Sequence, residues 1–326
     1  MSLATIIYNP LAGPADLVPV LDRIAKQWRG LGWEVSILPT AARGHATQLA
    51  RQAAVAGQRL VLAAGGDGTL GEVANGLANS ETVMGILPIG TANAFARELN
   101  LPVPGPVTPH RLLEASELLA EGRVQRVDLG FRHPPADGSD EGRYWLLWTG
   151  VGADAYLVDG LEPRPKWTKR LGRTSYILQG VPVVSRFSHV TAEVTVDGQS
   201  FSGEFVLVLV SNCRRYAGGI VTISQDAKMD DGLLEVWLFP GRGMPSMVTH
   251  MLNVWRGEHL GAGDCKLVKG RCITITSEPS TPVQTDGDPT GRTPVTLEVQ
   301  PAALQLLVPP GAPSALFRLP PVPLKL

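Results

Sequence analysis

Short apolar runs alternate with helix-type segments through roughly the first 125 residues, and this alternation constrains the fold more than any other feature of the chain. An order of strand, helix and strand is typical of βαβ units, which build parallel sheets. A further helix is predicted from Thr108 as its cap, with Pro109 in its first turn and Gly122 just beyond its end. The other predicted strands cover residues 5–9, 33–39, 59–65 and 84–90, with helices after Pro14 and from about Ala46, Leu70 and Thr91.

After Val127 the pattern changes to alternating strands joined by Gly-rich and Pro-rich turns. Asp197-Gly198 between two such runs is a strong hairpin signal. We therefore predict an α/β plus all-β fold, with a doubly wound α/β domain at residues 1–127 and an antiparallel β-sandwich domain at residues 128–300. One helix is expected near residues 245–257. The Pro-rich segment 301–326 is predicted to be extended, lying along a domain or loose.

Composition limits the classes of partner and compartment. Lys plus Arg total 29 against 30 Asp plus Glu, so no net field favours nucleic acid. The cysteines are odd in number and widely spaced, which argues against a disulfide framework or zinc site and fits a reducing compartment. The N-terminus lacks the basic lead of a signal peptide, and no apolar run has the ~18 to 20 residues of a spanning helix. A cytoplasmic location is expected.

The stretch VLAAGGDGTLGEVANGL, residues 61–77, carries a glycine-rich turn between a predicted strand and helix. Gly66, Gly68 and Gly71 formally satisfy G-x-G-x-x-G. The acidic residue that a dinucleotide site needs at the end of the next strand is missing, and no G-K-[ST] follows as in a Walker loop. The turn is therefore neither of these two nucleotide motifs.

Glycine turns expose backbone N–H groups, and the helix that follows offers its positive end, so a phosphate chain can bind without lysine. Asp67 within the turn would repel phosphates unless a divalent cation lay near them, which favours a magnesium nucleotide. Thr69 adds a hydroxyl for phosphate or metal. The alternative is a tight turn in which Asp67 only caps the helix.

A second turn of this kind follows in LPIGTANAFARELN. Adjacent parallel strands bring such turns to the same carboxyl edge of the sheet, where ligands bind. Gly90, Thr91 and Asn93 are predicted to hydrogen bond to the ligand. Thr91 as a plain N-cap remains the alternative.

Six short motifs together resemble the successive motifs of the diacylglycerol kinase catalytic family, in its bacterial lipid kinase branch. They are YNP at 8–10, GGDGT at 65–69, LPIGTANAFAR at 87–97, GVGADA at 150–155, DDGLLEV at 230–236 and TDGD at 285–288. The resemblance implies an α/β nucleotide domain and a β-sandwich domain with ATP in the cleft between them. It also implies transfer of the γ-phosphate to a lipid hydroxyl.

The resemblance implies roles for individual residues. Asp286 matches the family's general base, and Asp288 stands where a Glu is usual. From the residues alone, Asp286-Gly287 is simply a turn. The implied nucleotide contacts, together with those from the two turns, are Asn9, Thr40, Gly65, Gly66, Asp67, Gly68, Thr69, Leu70, Gly71, Gly90, Thr91 and Asn93.

The resemblance also implies a second, structural magnesium site. Its expected ligands are Asp231, the carbonyl of Leu233 and Asp230, whose closely spaced oxygens suit a hard cation. A solvated acidic turn is the alternative. Asp128 matches a further acidic position and is expected to reach the catalytic metal through water. Ala94 replaces the family's common Asp, which removes one carboxylate that could face that metal.

A basic segment at residues 162–180 is a candidate membrane contact. Its charges and the tryptophan among them suit anionic head groups, although such a run is also typical of a solvated loop. The predicted contact residues are Arg164, Lys166, Trp167, Lys169, Arg170 and Arg173.

The sequence therefore predicts an ATP-dependent, Mg²⁺-requiring lipid kinase that meets its lipid at a membrane surface. The acceptor, whether diacylglycerol-like or sphingoid, and the oligomeric state stay open. The alternatives are an NAD kinase-like enzyme and a nucleotide-binding regulatory protein weakened by Ala94.

Overall fold

The computed structural model describes residues 2–13, 17–105, 108–135, 138, 141–161, 187–261 and 265–324. The helices are α1 (Val18–Gly30), α2 (His45–Val55), α3 (Asp67–Leu77), α4 (Ala94–Glu98), α5 (Arg111–Ala120), α6 (Ala153–Leu161) and α7 (Gly243–Arg256). The strands before α6 are β1 (Ser2–Tyr8), β2 (Trp33–Pro39), β3 (Leu60–Gly65), β4 (Val83–Pro88), β5 (Arg123–Arg132), β6 (Arg143–Trp145) and β7 (Trp148–Gly152). Those after it are β8 (Val190–Val196), β9 (Gln199–Ser211), β10 (Arg215–Tyr216), β11 (Val221–Thr222), β12 (Leu234–Pro240), β13 (Lys266–Gly270), β14 (Cys272–Ser277), β15 (Pro282–Thr285), β16 (Asp288–Arg292), β17 (Val295–Val308) and β18 (Val322–Pro323).

The first part of the chain forms a parallel sheet in the order β4-β3-β1-β2. β3 and β4 are buried along their whole length, as parallel strands are when elements cover both faces of the sheet. Helix α1 shows how these helices attach, since Leu21, Ile24 and Trp28 recur every three or four residues and are all buried. The predicted α/β domain is confirmed.

The second part is mostly antiparallel. β9 pairs with β7, β8 and β12, and β14 pairs with β8. The hairpin predicted at Asp197-Gly198 is present: Val196 pairs with Gln199, and both turn residues have positive φ, 47° and 88°. A second apolar cluster, which includes Val194, packs within this part. The predicted β-sandwich class is confirmed.

Strand β17 connects the two parts. It pairs antiparallel with β14 and β5, and near its end it pairs parallel with β4 at Gln305 and Leu306. The strand therefore crosses the domain limit predicted at residue 300, with irregular register between Gln300 and Leu304. Farther along the Pro-rich segment, β18 pairs with β5. Because of β17, one mixed sheet runs through both parts.

Several helix limits differ from those predicted. Helix α3 begins at Asp67, three residues before Leu70, and α4 begins at Ala94, three residues after Thr91. The prediction of Thr108 as the cap of α5 is wrong, because its hydroxyl accepts the N–H of Gly105 and the helix begins only at Arg111. No helix among the described residues is long and apolar enough to cross a membrane. The basic segment with its predicted membrane contacts lies outside the described residues.

Candidate active site

The first glycine turn joins β3 to α3 and leaves main chain open to a ligand. A Cβ on Gly65 would lie 2.3 Å from Cβ of Thr69, so only glycine allows the helix to begin this close to the strand. A Cβ on Gly68 would meet no atom within 4 Å. Gly68 therefore presents its backbone to open space at the positive end of α3, which is the environment that phosphates prefer.

The second turn lies directly against the first. A Cβ on Gly90 would lie 2.4 Å from Cα of Gly66, so the two glycines are in backbone contact. The Asp67 carboxylate spans both turns, because its oxygens accept the N–H groups of Ala94 and Phe95, each at 3.1 Å. Asp67 thus caps the next helix, α4, rather than its own. The predicted juxtaposition of the two turns is present in the structure.

Two predicted ligand contacts have structural roles within these turns. Asn93 is fully buried with positive φ, and its amide group exchanges hydrogen bonds with the N–H and C=O of Gly90 at 2.8 and 2.7 Å. Leu70 is fully buried in the core, and its N–H donates to the Gly66 carbonyl. Both side chains are fully buried in this structure, and the contacts of these two residues with the nucleotide stay predictions. Thr91 is exposed within the turn and keeps its predicted role as a proposal.

Asn9 and Thr40 follow the ends of the neighbouring strands β1 and β2. The side-chain Oδ1 of Asn9 accepts the N–H of Leu11, and its side-chain Nδ2 lies 3.4 Å from the Thr69 hydroxyl. The N–H of Thr40 donates to Tyr8. All three predicted residues, Asn9, Thr40 and Thr69, therefore lie at the carboxyl edge of the parallel sheet, where ligands bind in such folds.

Asp286 lies beside the first turn although it comes from the other end of the chain. Its side chain is 5% exposed, and its Oδ2 would lie 2.9 Å from a Cβ on Gly71, in the first part of α3. Its oxygens accept three backbone N–H groups, from Leu146 at 2.8 Å, Leu147 at 2.8 Å and Trp148 at 3.2 Å. The structure thus brings the predicted base next to the predicted nucleotide turn.

The environment of Asp286 shifts its protonation. Burial, which disfavours the charged form, raises its pKa to about 6, while the backbone donors and the Arg143 guanidinium act in the opposite direction. A carboxylate with a pKa about one unit below neutral is about 90% ionised at pH 7 and still takes up a proton readily. The group therefore suits a general base.

Asp288 is held by two arginines. Arg143 donates to its Oδ2 at 2.9 Å, and Arg43, from the loop after β2, lies 3.3 Å from its Oδ1. The side chain of Arg43 is 58% exposed and that of Arg143 only 18%. Through Arg43, Asp288 thus links the α/β part to β16, the strand that follows the Asp286-Gly287 turn.

The acidic turn that begins at Asp230, where the second magnesium site is predicted, lies on a cavity of about 610 Å³. Asp128 lies there, because its oxygens accept the N–H groups of Gly232 at 2.6 Å and Ala302 at 2.8 Å. Asp128 therefore lies beside Asp230 and Asp231, and its contact with the catalytic metal through water stays a prediction. Burial raises the pKa of Asp128, and the nearby Asp231 and Asp230 add to the effect.

The other two predicted carboxylate ligands of the second site, Asp230 and Asp231, differ in how many hydrogen bonds they already accept. Asp230 accepts the amide of Gln125 and the N–H groups of Arg318 and Leu319. Asp231 accepts only the N–H of Leu233 through Oδ1 among the contacts resolved here. Within the described part of the chain, no group of three or more His, Cys, Asp and Glu side chains could hold a metal. Any cation here would depend on backbone carbonyls and water besides Asp231.

Sequence reasoning missed several residues that shape the site. Glu72 accepts the N–H groups of Gly44 and Ala46 and so ties the loop after β2 to α3. Its place in the helix after the glycine turn gave no signal of this contact. Asp154, within GVGADA, and Gln284, beside TDGD, form a further hydrogen-bonded pair at 2.8 Å. For these two, proximity to the motifs was the available signal.

Comparison with known proteins agrees with this geometry. The model of the diacylglycerol kinase catalytic domain matches residues 3–131. The model described as the YegS C-terminal NAD kinase beta sandwich-like domain matches residues 150–308. Together the two models match most of the chain, one for each part of the fold.

Whole-length relatives carry the same assignment. The diacylglycerol kinase of Bacillus subtilis (strain 168) is 28% identical over 296 residues, which cover 90% of this chain and 92% of that protein. A diacylglycerol kinase of Staphylococcus epidermidis is 29% identical over 294 residues, covering 89% and 87%.

Solved structures agree with the family models and with these relatives. A crystal structure of a diacylglycerol kinase from Bacillus anthracis str. Sterne has a TM-score of 0.68 at 25% identity and covers 96% of this chain and 98% of its own. Another structure from that strain has a TM-score of 0.76 at 27% identity and covers 96% of both chains.

An α/β domain with glycine turns followed by a β-sandwich is the arrangement that the two family models match in succession. Residues 3–131 therefore belong to the diacylglycerol kinase catalytic domain family, and residues 150–308 match the sandwich-like domain that follows it. The enzyme class predicted from the sequence, a lipid kinase, is the class of this family.

Proposed function

We propose that the protein transfers the γ-phosphate of ATP to the hydroxyl of a diacylglycerol-like or sphingoid lipid, with Asp286 as general base. One observation carries this proposal: the Asp286 carboxylate packs against Gly71 of the helix that starts at the glycine turn. A proton acceptor therefore lies next to the place where the phosphate chain would bind. The curated relatives, which are diacylglycerol kinases, support the same reaction class.

The hydrogen bonds identify which oxygen would take the proton. A carboxylate has about four lone-pair sites on its two oxygens. Oδ1 of Asp286 accepts two N–H groups, from Leu147 and Trp148, whereas Oδ2 accepts one, from Leu146. Oδ2 also faces Gly71. The free site on Oδ2 would therefore accept the proton of the lipid hydroxyl.

The nucleotide would be bound mainly by main chain. The N–H groups around Gly66 and Gly68, at the positive end of α3, suit the phosphates, and Thr91 adds an exposed hydroxyl. Phosphoryl transfer needs chiefly positioning and charge neutralisation, and a single proton acceptor completes the set. The contact between the glycine turn's helix and the Asp286 carboxylate supports such a reaction.

Mg²⁺ is part of the proposal. Asp67, at the contact between the two turns, is proposed as a ligand of this ion. When bound, the ion would neutralise charge on the phosphates. Asp231 and the carbonyl of Leu233 are proposed for the second site. The basic residues from Arg164 to Arg173 are proposed to contact the membrane that presents the lipid.

Incubation with radiolabelled ATP, Mg²⁺ and a panel of acceptors tests the proposal. The panel contains diacylglycerol, sphingosine and NAD, and Asp286→Asn is the matched inactive control. Labelled lipid from the wild type but not from Asp286→Asn is the expected result. Labelled NAD instead would overturn it in favour of the NAD kinase alternative. Retained ATP binding without product on any acceptor would favour a regulatory protein.

A further inference from the structure

The Asp154 carboxylate, at the start of α6, connects three elements. Its Oδ2 accepts the amide N–H of Gln284 at 2.8 Å and the hydroxyl of Tyr216 at 3.1 Å, and its Oδ1 accepts the N–H of Ala155. A Cβ on Gly150 would lie 2.0 Å from this Oδ2. Only glycine at position 150 therefore allows the carboxylate to lie over β7.

Gln284 carries this connection to the turn that contains the base. Its side-chain carbonyl accepts the N–H of Gly287 at 2.9 Å, and the residue is 2% exposed. Both ends of the amide are therefore bound, which fixes its orientation. Asp286 and Gly287 form the two-residue loop between β15 and β16, with φ of 51° and 83°. Gln284 thus holds one of the two left-handed residues of the loop.

A second connection reaches the other side of the base. The Tyr216 ring packs edge-on against Trp148, with ring centroids 5.4 Å apart. The backbone N–H of Trp148 donates to the Asp286 carboxylate, and the backbone carbonyl of Trp148 accepts the N–H of Asp286 at 2.9 Å. Asp154 is therefore linked to the base turn both through Gln284 and through Tyr216.

We propose that Asp154 and Gln284 are positioning residues that hold the Gly287 turn and so aim the Asp286 carboxylate at the acceptor hydroxyl. The inference rests on the proposed function and names two residues that act through another residue. Without the Gln284 amide, the loop would keep its hairpin shape but lose its anchor to α6. A base displaced by about 1 Å can lose about 10²-fold in rate.

Steady-state kinetics with Gln284→Leu provide the first test. The variant keeps much of the side-chain volume but removes both hydrogen bonds, so kcat should fall about 10- to 100-fold while the KM for ATP stays within about twofold. Tyr216→Phe is the comparison, because it breaks only the second connection and keeps the bond from Gln284 to Gly287; its kcat should fall clearly less than that of Gln284→Leu. Equal losses in the two variants, or an unchanged kcat in Gln284→Leu, would overturn the proposal.

The titration of Asp286, followed by NMR of ¹³C-labelled aspartate, tests the positioning without turnover. The described charged and titratable neighbours of this carboxylate are Arg143 and the buried thiol of Cys213. Neither is altered in Gln284→Leu. If the carboxylate moves away from its N–H donors, which lower its pKa, the pKa should rise by about one unit. An unchanged pKa would contradict the proposal.

Asp154→Ala serves as the second variant should Gln284→Leu fail to fold, and Asp154→Asn, which keeps an acceptor for the Gln284 amide, should restore part of the rate. Loss of thermal stability with normal kcat in Asp154→Ala would show a purely structural role. The two proposals fail in different ways. A wild type that phosphorylates no lipid refutes the function, whereas the NMR titration still decides the positioning.

Discussion

The carboxylate of Asp286 is in contact distance of Gly71: Oδ2 would lie 2.9 Å from a Cβ at that position. The two residues are far apart in the sequence and come from the two parts of the fold. Because a real Cβ does not approach an oxygen this closely without a shift, the absence of a side chain at Gly71 determines how near the base lies to the glycine turn.

Gly71→Ala should therefore separate activity from stability. Alanine favours a helix over glycine by about 1 kcal/mol, which offsets the crowding, so the unfolding temperature should change little. The base must move, and kcat should fall about 10- to 100-fold. Gly30→Ala, at the end of α1 with no atom near its Cβ position, is the control and should leave kcat unchanged. Normal turnover by Gly71→Ala would show that the contact has no catalytic importance.

Asp286→Asn should reduce kcat by about 10³-fold, since general base catalysis is commonly worth 10²- to 10⁴-fold. The affinity for ATP, measured by calorimetry, should stay within about twofold. In the wild type the base must be ionised, so kcat/KM, which reports the pKa of the free enzyme, should be low at acid pH, rise through the pKa of about 6 and level off above it. A kcat of Asp286→Asn within tenfold of the wild type would exclude this residue as the base.

Arg143→Ala should move the acid limb of the pH profile, where activity rises with pH, to higher pH. The Arg143 charge lowers the pKa of Asp286, so its removal raises that pKa, and a higher pH is needed to ionise the base. Arg43→Ala is the matched control, because Arg43 pairs with the same Asp288 but is more exposed. The pH profile of kcat/KM for each variant gives the comparison, and an equal displacement of the acid limb in both variants would argue against a specific effect of Arg143.

Asp67→Ala should weaken ATP binding and loosen the contact between the two turns. Loss of the cap on α4 should lower the unfolding free energy by about 1 kcal/mol. If Asp67 also binds the cation, ATP affinity should fall more with Mg²⁺ than without it. Asp22→Ala, an exposed acid on α1, controls for loss of charge. An ATP affinity that is unchanged with and without Mg²⁺ would limit Asp67 to its capping role.

The elements of the fold were predictable where the signal is local. Apolar strands such as β3 and the Asp197-Gly198 hairpin follow from patterns within a few residues. Helix starts were less predictable, because they depend on which group binds the first N–H groups. Thr108 looks like a cap in the sequence, but its hydroxyl is used by Gly105.

The site was predictable as a set of motifs, but its internal bonds were not. That Asp67 would bind the next helix, or that Asp128 would bind Gly232 and Ala302, depends on contacts across distant parts of the chain. The same applies to Asp154 and Gln284. Spacing along a chain does not encode which donor faces which acceptor after folding.

The pairing of β17 with β4 has a consequence for synthesis on the ribosome. The edge of β4 that faces away from β3 is covered by residues 305 and 306. When the segment matched by the catalytic-domain model has emerged, that edge still lacks its neighbour, and unpaired edges invite association between nascent chains. A recombinant fragment ending at residue 131 would carry the same open edge, so it should associate with itself more readily than the full chain.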